Sequence, residues 1–144
     1  MPEKTTVSII KCDVGSLAGH HIVPKPLLDI GEKRLKEAEK SRLINSHYVF
    51  NAGDDLELLM VHQKGEENPQ IHKLAWDTFS ETSENAKKLK LSGAGQDLLK
   101  TAFSGNVRGM GPGCAEMEFE ESNSDPVIVL AADKASSSAF NYPL

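Results

Sequence analysis

Two adjacent carboxylates, Asp54 and Asp55, follow Gly53 and precede an apolar segment that reads as a strand. Because side chains alternate between the two faces of a strand, both cannot point into one protein interior, but a bend at Gly53 can aim both into one cleft. Two carboxylates at such a short distance repel each other unless a cation lies between them. Gly-Asp-Asp is also common turn chemistry, so this stretch alone predicts either a turn or part of a cation site.

Further polar side chains occupy the ends of predicted strands or glycine-containing loops. Asp13 ends the first predicted strand and Asp133 ends the last, while His20 and Gln96 lie in loops. Ligands bind at strand ends in open α/β sheets. Carboxylates with one imidazole suit magnesium or manganese better than zinc, and such ions act with phosphate substrates. The residues therefore predict a metal-dependent enzyme acting on phosphate compounds.

Two glycine-rich segments are candidates for contact with phosphate. The glycine turn at residues 92–97 leads into a short predicted helix at about 96–103, and a helix N-terminus can bind an anion. Residues 104–113 contain four glycines, Asn106 and Arg108, which suits backbone contact with phosphate beside a charged donor. From composition alone, a flexible connector explains residues 104–113 equally well.

The elements that position these residues predict an α/β fold. Short β-branched or apolar segments indicate strands at residues 5–12, 43–52, 56–63, 114–121 and 127–132. Helical periodicity predicts one long helix at 27–42 and a second that starts at Asn68-Pro69 and runs to about residue 90. The short link at Gly53 predicts a hairpin or a bent pair of strands. In the fourth strand we expect one buried face (Ala115, Met117, Phe119) and one wet face (Glu116, Glu118, Glu120).

Composition limits the class of protein. The 144 residues are enough for one domain or part of one, and 39% hydrophobic with 26% charged residues predicts a soluble globular chain. The net charge of -5 argues against nucleic acid as a partner. The two cysteines are far apart, so we expect neither a disulfide framework nor a zinc ribbon. This use of cysteine is consistent with a reducing cytosol. We find neither a signal-peptide pattern nor an apolar run long enough for a membrane span.

Six motifs, in order along the chain, together carry a specific resemblance. They are DVGSLAGHH (13–21), GDDL (53–56), AGQDLL (94–99), FSGNVRGMGPG (103–113), AEME (115–118) and ADK (132–134). In these six motifs, and in their order, the chain resembles the archaeal-type (class V) fructose-1,6-bisphosphate aldolase/phosphatase family. The resemblance implies a layered α/β sandwich, of which this chain carries about five strands and two long helices, and a cytoplasmic homo-octamer.

The resemblance also implies an activity and its residues. Such an enzyme of gluconeogenesis condenses dihydroxyacetone phosphate with glyceraldehyde 3-phosphate. It then hydrolyses the 1-phosphate of fructose 1,6-bisphosphate to give fructose 6-phosphate. Matched motif by motif, the implied Mg²⁺ ligands are Asp13, His20, Asp54, Asp55, Gln96 and Asp133. The implied substrate contacts are His20, Gly105, Asn106 and Lys134.

Two departures from the family limit what is expected of this chain. Family members are longer, and their Schiff-base lysine and acid/base tyrosine lie in a C-terminal half that is missing here. Ser92 stands where they commonly carry a substrate-binding tyrosine. We therefore expect residues 1–144 to be the N-terminal portion of a single catalytic domain, inactive alone as an aldolase. The alternative is a truncated, non-catalytic module for magnesium or phosphate binding, or for assembly.

Overall fold

The computed structural model describes residues 4–14, 23–53, 55–89 and 113–120. Along this part of the chain the elements are β1 (Lys4–Asp13), α1 (Lys25–Lys40), β2 (Ser46–Ala52), β3 (Asp55–His62), α2 (Pro69–Lys88) and β4 (Gly113–Glu120). The predicted α/β class is confirmed. The strand predicted at 127–132 and the helix predicted at 96–103 lie outside the described residues.

The four described strands form one sheet in the order β2-β3-β1-β4. All three pairings are antiparallel. The element order β-α-β-β-α-β with this strand order is the split βαβ arrangement of ferredoxin-like folds. The central strands β1 and β3 are therefore paired on both edges, which agrees with the apolar character of their sequences.

Alternate residues of the two central strands face the helices and build the core with them. The strand contributions include Ile10 and Cys12 from β1, and Leu56, Leu58 and Met60 from β3. The helix contributions include Leu27 and Leu35 from α1, and Ile71 and Phe79 from α2. We call this side of the sheet the helix face and the other side, on which neither described helix packs, the open face; Ile9, Asp55 and Glu57 on it are nevertheless buried. Neither described helix combines the length and apolar character that a membrane span needs.

Local signals explain where the helices begin and how closely they pack. The side chain of Asn68 accepts hydrogen bonds from the backbone N–H groups of Gln70 and Ile71, so the predicted cap of α2 is confirmed. Gly31 lies inside α1, where glycine normally weakens a helix. A Cβ at Gly31 would lie 3.1 Å from Cγ1 of Val49, so glycine allows α1 to pack closely on β2.

The strand predicted from residue 43 begins three residues later, at Ser46. Arg42 has a positive φ of 63°, and the N–H of Leu43 donates to the carbonyl of Ala38 at 3.0 Å. Ile44 is 2% exposed and packs in the core. The apolar pair at 43–44 thus belongs to the turn that ends α1, and its hydrophobicity reflects core packing instead of strand pairing.

The prediction for the faces of β4 is wrong at Ala115, Glu116 and Met117, whereas Glu118 and Glu120 are exposed as predicted and Phe119 is half-buried. Met117 is 46% exposed and Ala115 is also exposed, whereas the side chain of Glu116 is only 7% exposed. Pairing with β1 places Glu116 opposite Ser8 on the helix face. The carboxylate can be buried there because several hydrogen-bond donors surround it, as described below.

Candidate functional site

Asp13 and Asp55 are directly opposite each other at one end of the β1–β3 pair. Both lie on the open face, because their neighbours Cys12 and Leu56 occupy the core on the helix face. Asp55 is 3% exposed and Asp13 is half-buried. Like charges directly opposite in a sheet are destabilising, so this position favours a nearby cation.

The β2–β3 hairpin fixes the position of Asp55. Ala52 pairs with Asp55, so only residues 53 and 54 connect the two strands. Gly53 has a φ of 58°, which glycine adopts without strain, and the side-chain amide of Asn51 donates to its carbonyl at 3.0 Å. The predicted hairpin is confirmed, and the turn makes Asp55 the first residue of β3.

A lysine on the same face partly compensates the two carboxylates. The Nζ of Lys11 lies 3.2 Å from Oδ2 of Asp55, and their side chains are 19% and 5% exposed. Glu57, which pairs with Lys11 across the strands, is fully buried. Three carboxylates and one ammonium group therefore share this end of the open face. Oxygen donors in this number fit a hard divalent cation such as Mg²⁺.

Sequence reasoning missed Lys11 and Glu57 as neighbours of the predicted ligands. The available signal was a single charged residue inside each strand, Lys11 in β1 and Glu57 in β3. The remaining predicted site residues stay predictions because they lie outside the described residues. They are the metal ligands His20, Asp54, Gln96 and Asp133, and the substrate contacts Gly105, Asn106 and Lys134.

A second polar cluster lies on the helix face, where the first turn of α2 meets β4, which is an outer strand among the four that the structure describes. The Nε2 of His72 is 2.8 Å from Oε1 of Glu116 and 3.8 Å from Sγ of Cys114. One ligand atom from each of these three residues lies within 4.8 Å of the other two. We call His72, Cys114 and Glu116 the edge cluster.

A directed chain of hydrogen bonds holds the carboxylate of the edge cluster. The N–H of Lys64 donates to Nδ1 of His62 at 3.1 Å, so the proton of the neutral ring is on Nε2. That Nε2 lies 2.8 Å from Oγ of Ser8, and the Ser8 hydroxyl donates to Oε2 of Glu116 at 2.5 Å. His62 therefore donates to Ser8 and cannot act as the base that would activate it.

The surroundings of the edge cluster shift the pKa values of its acids in opposite directions. Burial raises the pKa of Glu116, but hydrogen bonds from Ser8, the Glu67 backbone and His72 outweigh it, and the net pKa lies below the ordinary value. Burial is the main cause that raises the pKa of Cys114 to about 12, and the charge of Glu116 is the second. Glu116 is therefore ionised and Cys114 is a thiol at neutral pH. Burial likewise lowers the pKa of His62, which keeps that ring neutral.

A histidine inside a helix is most often a surface or packed residue and an isolated cysteine a small buried one, so sequence alone predicts no ligand role for His72 or Cys114. Cys114 and Glu116 share a face because they are two residues apart on one strand. The spacing Cys-x-Glu was therefore a usable signal. His72 is 42 residues from Cys114 in the chain, and only the packing of α2 against β4 brings the two together.

Comparison with known proteins gives a consistent assignment. A family model described as fructose-1,6-bisphosphatase matches residues 4–144. Proteins named fructose-1,6-bisphosphate aldolase/phosphatase are similar over nearly the whole chain. Those from Pyrobaculum neutrophilum and Ignicoccus hospitalis are 59% and 54% identical, over 98% and 100% of this chain. The one from Moorella thermoacetica is 52% identical over 100% of the chain.

The chain spans 36%, 37% and 37% of the length of these three relatives, respectively. The family match nonetheless covers every residue that the structure describes. The resemblance seen in the six motifs is thus confirmed, and the chain belongs to the fructose-1,6-bisphosphatase family, among the relatives named as aldolase/phosphatases.

Proposed function

We propose that this chain forms part of a magnesium-dependent fructose-1,6-bisphosphatase that also acts as a fructose-bisphosphate aldolase. The observation that carries the proposal is the position of Asp13 opposite Asp55, next to the Gly53 turn. It gives two carboxylates from two different motifs a common location. The names of the relatives supply the substrate and the two activities.

In this proposal Asp13 and Asp55 hold Mg²⁺ together with Asp54, His20, Gln96 and Asp133. Lys11 orients the carboxylate of Asp55 through their 3.2 Å contact. The chemistry that such an ion supplies is neutralisation of phosphate charge and activation of a water molecule. His20, Gly105, Asn106 and Lys134 bind the bisphosphate, for which backbone N–H groups and a lysine ammonium are suitable donors.

The aldolase step needs an amine positioned for Schiff-base formation. We assign that lysine, and the tyrosine acid/base, to sequence that the relatives have beyond the matched portion. Dihydroxyacetone phosphate and glyceraldehyde 3-phosphate are the proposed aldol substrates. A cytoplasmic homo-octamer is the proposed assembly, as the family resemblance implies.

The phosphatase proposal is tested in a protein of the relatives' full length that contains this chain. Changing Asp54→Asn together with Asp55→Asn is expected to abolish Mg²⁺-dependent phosphate release from fructose 1,6-bisphosphate. The control is Asp77→Asn on α2, whose partner is the exposed Lys73. Phosphate release that survives the double change would mean that Asp54 and Asp55 only form a turn.

A second candidate is a module that binds magnesium or phosphate, or assembles with other chains, without catalysis. The specific observation in its favour is Ser92, at a position where family members commonly carry a substrate-binding tyrosine. Assays of a protein of the relatives' full length that contains this chain separate the two candidates. Phosphate release supports the enzyme, while Mg²⁺ binding without phosphate release supports the module. Borohydride trapping with dihydroxyacetone phosphate should label no lysine of this chain.

A further inference from the structure

We propose that the edge cluster is a second metal site, selective for a borderline-soft cation such as Zn²⁺ and separate from the proposed Mg²⁺ site. Its ligands are Nε2 of His72, Sγ of Cys114 and a carboxylate oxygen of Glu116. A set with one nitrogen, one sulfur and one oxygen suits zinc, whereas magnesium prefers oxygen alone.

All three ligand atoms lie within 4.8 Å of one another, and the two contacts made by His72 are close to the distances of a tetrahedral zinc site. Zinc bonds of ordinary length imply about 3.3 Å between nitrogen and oxygen, and about 3.5 Å between nitrogen and sulfur. The corresponding distances here are 2.8 Å and 3.8 Å. Shifts of about half an ångström would therefore bring these two contacts to the distances of a zinc site.

The carboxylate is already held in place by groups outside the cluster. Ser8 donates to one oxygen of Glu116 at 2.5 Å, and the N–H of Glu67 donates to the other at 3.0 Å. Metal sites commonly rely on such outer contacts to orient their ligands. The ligands also come from two rigid elements, because His72 is in the first turn of α2 while Cys114 and Glu116 are on β4.

The two metal sites lie on opposite faces of the sheet. Glu116 is opposite Ser8 on the helix face, whereas Asp13 and Asp55 are on the open face. Along β1, Ser8 and Asp13 are five residues apart, or roughly 16 Å. One ion therefore cannot serve both sets of ligands.

Binding of Zn²⁺ has a defined proton balance. The cation takes the place of the thiol proton of Cys114, which goes to solvent, and the ring proton of His72 moves from Nε2 to Nδ1. The hydrogen bond from His72 to Glu116 is replaced by two bonds to the metal. Three protein ligands leave a fourth position for water or an exogenous ligand, as in exchangeable zinc sites.

The experiment uses the chelator-treated 144-residue chain in excess Mg²⁺, so that hard-cation sites are filled. Co²⁺ is added as a spectroscopic substitute for zinc, and absorption from a thiolate–Co²⁺ bond is recorded. One equivalent of Co²⁺ should produce the band, Zn²⁺ should remove it, and Cys114→Ser should abolish it. Cys12→Ser is the matched control, because Cys12 is a buried cysteine outside the cluster.

Two further variants keep the test decisive where Cys114→Ser fails to fold. His72→Gln changes a side chain that is 25% exposed and should weaken Zn²⁺ binding at least tenfold, whereas His47→Gln should not. Ser8→Ala should weaken binding by roughly 10-fold, because it removes an outer contact of Glu116. The proposal is overturned if the chain gives no thiolate–Co²⁺ band, or if the band depends on Cys12 instead of Cys114.

Discussion

Asp13 and Asp55 are cross-strand partners, and Lys11 contacts Asp55 at 3.2 Å from the same face of the sheet. The chain thus places two carboxylates opposite each other, with one ammonium group beside the more deeply buried of the two. Two facing carboxylates are unfavourable for a sheet by themselves and favourable for binding a cation. This arrangement connects the hairpin geometry to the proposed activity.

Replacing Lys11 should expose the electrostatic cost of this arrangement. Lys11→Met leaves the buried Asp55 beside Asp13 without its ammonium contact, so we expect the free energy of unfolding to fall by about 1–3 kcal/mol. Bound Mg²⁺ compensates the same charges, so the loss should be smaller in saturating Mg²⁺. Urea unfolding with and without Mg²⁺ measures both effects.

The control for this change is Lys25→Met, which removes an exposed ion pair with Asp29 on α1. It should alter the free energy of unfolding by no more than about 1 kcal/mol and show no Mg²⁺ dependence. Equal losses for the two variants would show that Lys11 has no special role at Asp55.

His47 should make stability depend on pH. Its ring lies 2.8 Å from Glu32 and 2.6 Å from Glu39, joining β2 to α1. Burial lowers the pKa of His47, but the hydrogen bonds and charges of the two glutamates outweigh it and raise the pKa above 6.5. Because the pKa of His47 is higher in the folded than in the unfolded chain, its protonation stabilises the fold. This contribution is complete below pH 6.5 and is lost as the pH rises through the pKa of the folded state.

The measurement is the melting temperature of the chain and of His47→Gln across this range. The melting temperature of the wild type should exceed that of the variant by more at about pH 5.5 than at about pH 8.5. A difference that is the same at both values would rule out a charged His47 as the stabilising form.

The side-chain cap of α2 at Asn68 should contribute to the stability of the fold. Asn68→Ala removes the acceptor of two N–H groups at the start of the helix and should lower the free energy of unfolding by about 1 kcal/mol. Asn68→Asp keeps an acceptor and should be close to wild type. If Asn68→Asp proved as destabilising as Asn68→Ala in urea unfolding, the cap would not be the stabilising contact.

Local sequence signals predicted those parts of the fold that depend on neighbouring residues. Asn68-Pro69 marked the start of α2, and Gly53 marked the hairpin that places Asp55. The burial of Glu116 on β4 was not predicted, because only apolar residues were expected on the buried face. Glu116 is buried because Ser8 and His72, distant in the chain, donate to it.

The candidate site likewise combines features that local sequence predicts with contacts that depend on the fold. Asp13 and Asp55 were predicted to be ligands from their motifs, but their position as direct partners depends on the β1–β3 register. Cys114 and Glu116 share a face by simple alternation, yet His72 joins them only through the packing of α2. Contacts of this kind join residues far apart in sequence, so no local pattern specifies them.

The most direct test of the central claim is the Mg²⁺ dependence of the melting temperature. A ligand that binds only the folded state stabilises it by about 2.7 kcal/mol at a concentration 100 times its dissociation constant. Mg²⁺ should therefore raise the melting temperature of the chain, and Asp13→Asn and Asp55→Asn should each reduce that rise. Asp77→Asn should leave it unchanged. A wild-type chain that does not respond to Mg²⁺, or variants at Asp13 and Asp55 that respond fully, would contradict the assignment of this pair as a metal site.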